Sequence, residues 1–209
     1  MTAKSIAWWI MTSLALFVAL FAISQMFTSS FQSPVIAKIL ERQPIAGYGH
    51  FLASGFSLAI GAFQFNSGWR KSWPSWHRWL GRCYIVFVAV GAVCSFQLAL
   101  NANGGLVAKT GFAMLGVVWV ISTFMAYKHI RAGDIQTHQI WMIRSYALTF
   151  GAVTLRLYIP ASLISGLSFE DAYPAIAWVA WVPNLIVAEW IIIPLFHPRR
   201  SQHSKHPPS

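Results

Sequence analysis

Charge is scarce in this sequence, and negative charge is scarcest. Aspartate, glutamate, lysine and arginine make up 10% of the 209 residues, where a soluble domain carries roughly 25%. Such a chain cannot clothe a water-facing surface, which excludes a soluble enzyme and a disordered chain. Five acidic residues are too few for a paired-carboxylate hydrolase or a two-metal centre. Two cysteines, Cys83 and Cys94, do not make a disulfide-stapled module. They share one apolar run, roughly 16 Å apart along a helix, and read as packing residues. No C-x-x-C, H-E-x-x-H, G-x-S-x-G or glycine-rich phosphate loop occurs, so zinc-protease, hydrolase and nucleotide-driven pump chemistry have no motif to rest on.

What fills the chain is apolar. Hydrophobic residues reach 56% and aromatic residues 15%, with a mean hydropathy of +0.55. Six apolar runs are each close to the roughly 20 residues that cross a bilayer. They span about Ile6–Phe27, Gly47–Phe65, Cys83–Leu100, Val107–Tyr127, Ile140–Leu163 and Ala175–Phe196. The first ends in Ser24-Gln25-Met26-Phe27, a poor cleavage site, and so reads as a retained helix rather than a removed signal peptide. Backbone polar groups in lipid must be satisfied within the segment, so each run is expected to be a helix. The fold class is all-α: a polytopic six-helix membrane bundle formed by residues 1–196, with residues 197–209 a disordered tail.

The basic residues report orientation. Lysine and arginine number 15 against the five acids, a net charge of +10 and a pI near 10.1. They gather between spans two and three, as Arg70, Lys71, Arg78 and Arg82, and between four and five, as Lys128 and Arg131. The opposite connections carry few: residues 101–105 none, residues 165–174 Glu170 and Asp171, and residues 28–46 Lys38 and Arg42 with Glu41. By the positive-inside rule both termini are cytoplasmic, in an inner (plasma) membrane. No basic face is broad enough for nucleic acid. Trp69, Trp73, Trp76 and Trp79 mark the inner interface, where the stretch from Trp69 to Arg82 is expected to be partly helical and to lie in its plane. Trp178 and Trp181 are placed toward the outer interface.

Polar residues inside spans are costly and therefore candidates for function. Span two carries Gly47, His50, Ser54, Ser57, Gly61 and Gln64 on one helical stripe, which is either a close packing seam or a polar face. Span five carries His138, Ser145, Thr149, Ala152 and Arg156 on another. Arg156 falls at the depth of His50, and Gln97 of span three also nears the outer end, so an outer cluster of His50, Gln97 and Arg156 is possible if the three faces meet. The bland alternative is that Arg156 snorkels to the surface. Glu189 stands about two turns above the inner end of span six, close enough to Arg78, Arg82 and Arg144 to be paired with one of them.

His77, His129 and His138 lie at the inner ends of spans three to five. Imidazole is a common metal ligand, and two histidines on facing helices can hold a haem iron while arginines hold its propionates. His77 and His138 meet that depth requirement; a single interfacial histidine is as well an anchor.

Four patches carry a resemblance: Gly49-His50-Phe51 with Gly61-Ala62-Phe63-Gln64-Phe65; Trp76-His77-Arg78-Trp79-Leu80-Gly81-Arg82-Cys83-Tyr84; Gly133-Asp134-Ile135-Gln136-Thr137-His138 continuing through Trp141-Met142-Ile143-Arg144-Ser145-Tyr146; and Thr154-Leu155-Arg156-Leu157. From Gly47 to Pro160 the chain resembles the bacterial predicted-membrane-protein family known as domain of unknown function 2306. The resemblance implies a multi-span fold, no established activity, and a marked set of His50, His77, Arg78, Arg82, His138, Arg144 and Arg156. Its H-R-x-x-G element is also similar, over a short stretch, to b-type cytochrome and ferric-reductase-like bundles, an analogy alone.

Three expectations follow. The first is a redox or electron-transfer protein. In it His77 and His138 hold haem b, or His77, His129 and His138 a transition metal. Arg78, Arg82 and Arg144 neutralise propionates or a quinone, and His50 with Arg156 forms an outer site for a quinone or an electron-transfer partner. The second is a carrier for an anion or small amphipathic molecule bound by the same cations. The third is a structural subunit without chemistry. No residue is assigned a catalytic role.

Overall fold

The computed structural model describes residues 3–27 and 32–197; the tail from Pro198 onward lies outside the described residues. The chain is helical, with six helical segments long and apolar enough to cross a membrane. Span one is α1 (Ala3–Ser24). A short α2 (Pro34–Arg42) precedes span two, α3 (Pro44–Gln64). After α4 (Ser67–Ser72) come span three, α5 (Pro74–Leu100), and span four, α6 (Gly105–Arg131). Span five is α7 (Ile135–Thr149) and α8 (Gly151–Ile164). Span six is α9 (Phe169–Val179), α10 (Val182–Val187), a π-helical turn at Ala188–Ile192 and α11 (Ile193–Phe196).

Local chemistry sets these boundaries. Ser33, Asn66, Asp134 and Ser168 each cap a helix by accepting a hydrogen bond from a backbone N–H three residues on, satisfying a donor that the helix itself leaves free. Pro34, Pro44 and Pro74 occupy first-turn positions, where a missing N–H costs nothing.

Two boundary expectations are corrected. The stretch from Pro74 to Arg82 belongs to span three itself. A helix of 27 residues is about 40 Å long against a hydrocarbon core of about 30 Å, so its first turns stand beyond the core with exposed Trp76 and Trp79. Trp181 is 6% exposed and part of the core rather than an interface anchor. Its indole N–H donates to the Ala177 carbonyl, and its backbone stands against Gly151.

Spans five and six are both interrupted near mid-depth, side by side. Pro183 lacks an N–H and crowds the carbonyl four residues back, which ends α9 ahead of it. Asn184 reaches across with its amide to the carbonyls of Ala147 and Ala180 and to Thr154 Oγ1. Thr154 also donates to the Ala180 carbonyl. The interruption is thus closed by side chains instead of water.

Connections 66–73 and 132–134 lie at one end of the bundle, here the basic end; connections 101–104 and 165–168 lie at the far end. The start of α1 reaches the basic end, where the Trp8 indole donates to the Ala62 carbonyl. Close packing there depends on Gly61. A Cβ at this position would sit 2.5 Å from the Tyr146 ring and 2.9 Å from the Tyr84 ring, while Tyr146 itself donates to the Leu58 carbonyl at 3.1 Å. The span-two stripe is therefore a packing seam at its inner end. Gly61→Ala is expected to lower stability by about 1–3 kcal/mol through overpacking, read as a fall in melting temperature of the detergent-purified protein. An unchanged melting curve would show that the rings move aside freely.

Candidate functional site

The far half of the bundle encloses a cavity of about 920 Å³. Spans one to six all contribute to its wall, α2 adds to its rim, and it ends at mid-depth on Leu58, Trp119, Leu148 and Thr149. His50, Gln97 and Arg156 all line this cavity, and among the described residues no hydrogen bond joins them. Sequence reasoning missed α2, which adds Lys38 and Arg42 to the lining; its apolar positions are too few to read as a span. Glu170 is the single acidic residue among the lining side chains.

Arg156 does not snorkel outward. Its Nη1 donates to the Ala152 carbonyl at 3.0 Å, one turn closer to mid-membrane. No carboxylate pairs with it among the described residues. A guanidinium offers five donors, and one is used. His50 is anchored beside the same cavity. Its Nδ1 lies 3.2 Å from the Gly91 carbonyl and 3.2 Å from Ser54 Oγ. A carbonyl can only accept, so Nδ1 carries the hydrogen and Nε2 is left as a free acceptor. The same tautomer rules out a Ser–His nucleophilic pair, because the nitrogen facing Ser54 holds no lone pair to take its proton.

A buried hydroxyl cluster forms the floor. Tyr84 Oη lies 2.8 Å from both Ser145 Oγ and Thr149 Oγ1. The Trp119 indole donates to Thr149 at 2.8 Å, and Thr123 lies 2.7 Å from Ser145. Ser145 and Thr149 were legible as a stripe on span five. Tyr84, Trp119 and Thr123 were not, because a tyrosine or tryptophan in an apolar run gives no sign of where its polar atom goes.

At the basic end the marked residues are dispersed. His129 pairs with Asp134 at 3.3 Å. His138 donates from Nδ1 to the Ala126 carbonyl at 2.8 Å. Arg78 reaches Ser75 at 3.3 Å and is exposed, as is Arg82. The described residues contain no group of three or more His, Cys, Asp or Glu placed to hold a metal, so His77, His129 and His138 are not gathered into one ligand set. His77 lines a hollow of about 20 Å³ with Trp69, Trp73, Trp76 and Leu80, and His138 is not part of that lining. Arg144 forms a two-point pair with Glu189, Nη2 to Oε2 at 3.0 Å, and lies 4.3 Å from the centre of the Trp141 ring. This is the structural pairing expected for Glu189, and it removes Arg144 from the free cations.

This geometry defines a multi-pass helical membrane protein with a half-depth cavity. The family comparison matches residues 47–192 to the predicted membrane protein family, domain of unknown function 2306, and the chain belongs to that family. Comparison with curated proteins and with solved structures finds no match.

Two outcomes test this description. In a double-mutant cycle, Arg144→Gln and Glu189→Gln are expected to couple by about 1–2 kcal/mol in chemical unfolding; additive losses would mean that the pair is idle. Asp134 accepts from the Thr137 backbone N–H and lies beside His129, and these bonds hold its carboxyl below the usual carboxylate range. The ionised form is thus the one favoured by folding. Its contribution is complete above about pH 4 and is lost as pH falls through the lowered folded-state value. Asp134→Asn is expected to flatten the acid limb of the stability profile, and an unaltered limb would assign that limb to other groups.

Proposed function

We propose that this protein binds a small organic anion in its far-end cavity and serves as a membrane carrier or receptor for it. The observation that supports this is Arg156: a guanidinium inside a membrane bundle, turned toward mid-depth, beside a cavity and in no ion pair among the described residues. An unpaired cation in a low-dielectric setting is costly, and an anion in the cavity offsets that cost by occupying the four unused donors. His50 Nε2 adds an acceptor for an acid or hydroxyl proton on the same ligand. Lys38 and Arg42 at the rim raise the local anion concentration. With the basic end in the cytoplasm, the cavity opens to the opposite side of the plasma membrane.

A quinone head group is a second reading, favoured by the presence on one cavity of a donor for its carbonyl, Arg156, and an acceptor for the hydroxyl of its quinol form, His50. It keeps the redox expectation without calling on the histidines of the basic end.

Benzoate binding to the purified protein in lipid nanodiscs, followed by calorimetry, tests the main reading. Arg156→Gln is expected to weaken binding at least tenfold and Arg156→Lys less, because lysine keeps the charge but not the fork. Equal binding to the wild type and Arg156→Gln overturns it. Tighter binding of a water-soluble benzoquinone than of benzoate, weakened in Arg156→Gln, moves the assignment to the quinone.

A further inference from the structure

The cavity is far larger than the charge that Arg156 can neutralise, and its excess is shaped. Along α3 the lining runs from Ser54, beside His50, up to Gln43 at the rim, roughly 16 Å higher. A bare phosphate or carboxylate at Arg156 would leave most of the 920 Å³ to water. That water would face apolar walls and would solvate the guanidinium, so the site would hold its anion little better than an exposed one. The wall above Arg156 is suited to something else. Phe112 and Tyr173 lie with ring centres 5.4 Å apart on one side, and Phe51, Leu98 and Leu155 continue the lining. The uncharged polar groups Gln97, Asn101 and Asn103 lie at the top, beside the far-end loop.

Resting on the anion reading above, we propose that the ligand is an elongated amphipathic anion bound acid-end innermost, its apolar body running up the wall from Arg156 to the far-end rim. The order is set by where the cation sits. The acid goes to the floor because Arg156 turns toward Ala152, and the hydroxyls of Tyr84, Ser145, Thr149 and Thr123 beneath are already bonded to one another. They close the cavity at its inner end and leave no further depth for a tail. The body therefore extends outward. Its length is bounded by the climb to the rim, about twelve carbons in extended form. Beyond that the chain meets polar groups and water.

The straight-chain carboxylates from acetate to tetradecanoate, titrated below their micelle concentrations into the nanodisc-embedded full chain, test this. Affinity is expected to rise about fourfold per methylene and to level off near twelve carbons. A second anionic group on the far end of a twelve-carbon chain is expected to be tolerated, since it reaches the rim near Lys38 and Arg42. Leu98→Trp, which thickens the upper wall, is expected to weaken dodecanoate at least tenfold and acetate far less, and a retained melting temperature certifies its fold. Arg156→Gln serves as the baseline for partition of long chains into the lipid disc. Arg156-dependent binding of acetate with no gain from chain length overturns the inference and spares the anion reading. A length dependence that is identical in Arg156→Gln assigns the gain to the disc and overturns the inference. Failure of every carboxylate to bind overturns both.

Discussion

A hydroxyl, an amide or an ion held among apolar helices has no water to turn to, so its partner must be another group of the protein or of a ligand. The arrangement of this bundle follows from how that requirement is met. Tyr84, Ser145, Thr149, Thr123 and the Trp119 indole close a ring of contacts among three spans. Asn184 and Thr154 satisfy the carbonyls exposed where spans five and six break. Arg144 takes Glu189. Thr12 Oγ1 is buried with no hydrogen-bond partner, and nothing in the structure explains it.

Scarcity of acid makes Arg156 different. Of the five acidic residues, Glu189 is engaged by Arg144 and Asp134 caps α7 beside His129. Glu170 and Asp171 stand in the first turn of α9 at the far end, where they complement the helix dipole. Glu41 lies on α2. None forms an ion pair with Arg156. A snorkelling arginine on α8 would extend toward Ile164, where water is nearest. This one bends back to Ala152. The chain thus places a strong hydrogen-bond donor near mid-depth, with a cavity beside it.

The sequence made the six spans legible because each is a run of bilayer length, and the basic connections alternate with the poor ones. It made His50 and Arg156 legible through their cost, and helical rise placed them at one depth. It did not show that α8 turns Arg156 toward the space that His50 of α3 also lines, since that depends on the break at Phe150 and on the packing of Gly151 against Trp181. Those are contacts between helices and leave no periodic trace. The three histidines show the opposite failure. Depth brought them close on paper, but the described residues do not gather the three into one ligand set. Nδ1 of His129 is beside Asp134 and Nδ1 of His138 is on the Ala126 carbonyl, contacts between turns that sequence spacing does not reveal.

The two halves of the bundle differ in kind for the same reason. Toward the basic end, small residues admit large rings: Gly61 receives Tyr146 and Tyr84, and the polar atoms among them are bonded to one another. A half built this way gains its stability from close fit. Toward the far end the helices stand apart around the cavity, and the imidazole and guanidinium on its wall keep unused capacity. Stability lost by not filling that space has to be supplied by the packed half. The hydroxyl cluster lies where the two meet: it completes the packing below and fixes how deep a ligand can go above. Chemistry at Arg156 and the fold of the basic half therefore depend on one boundary, made by Tyr84, Ser145 and Thr149.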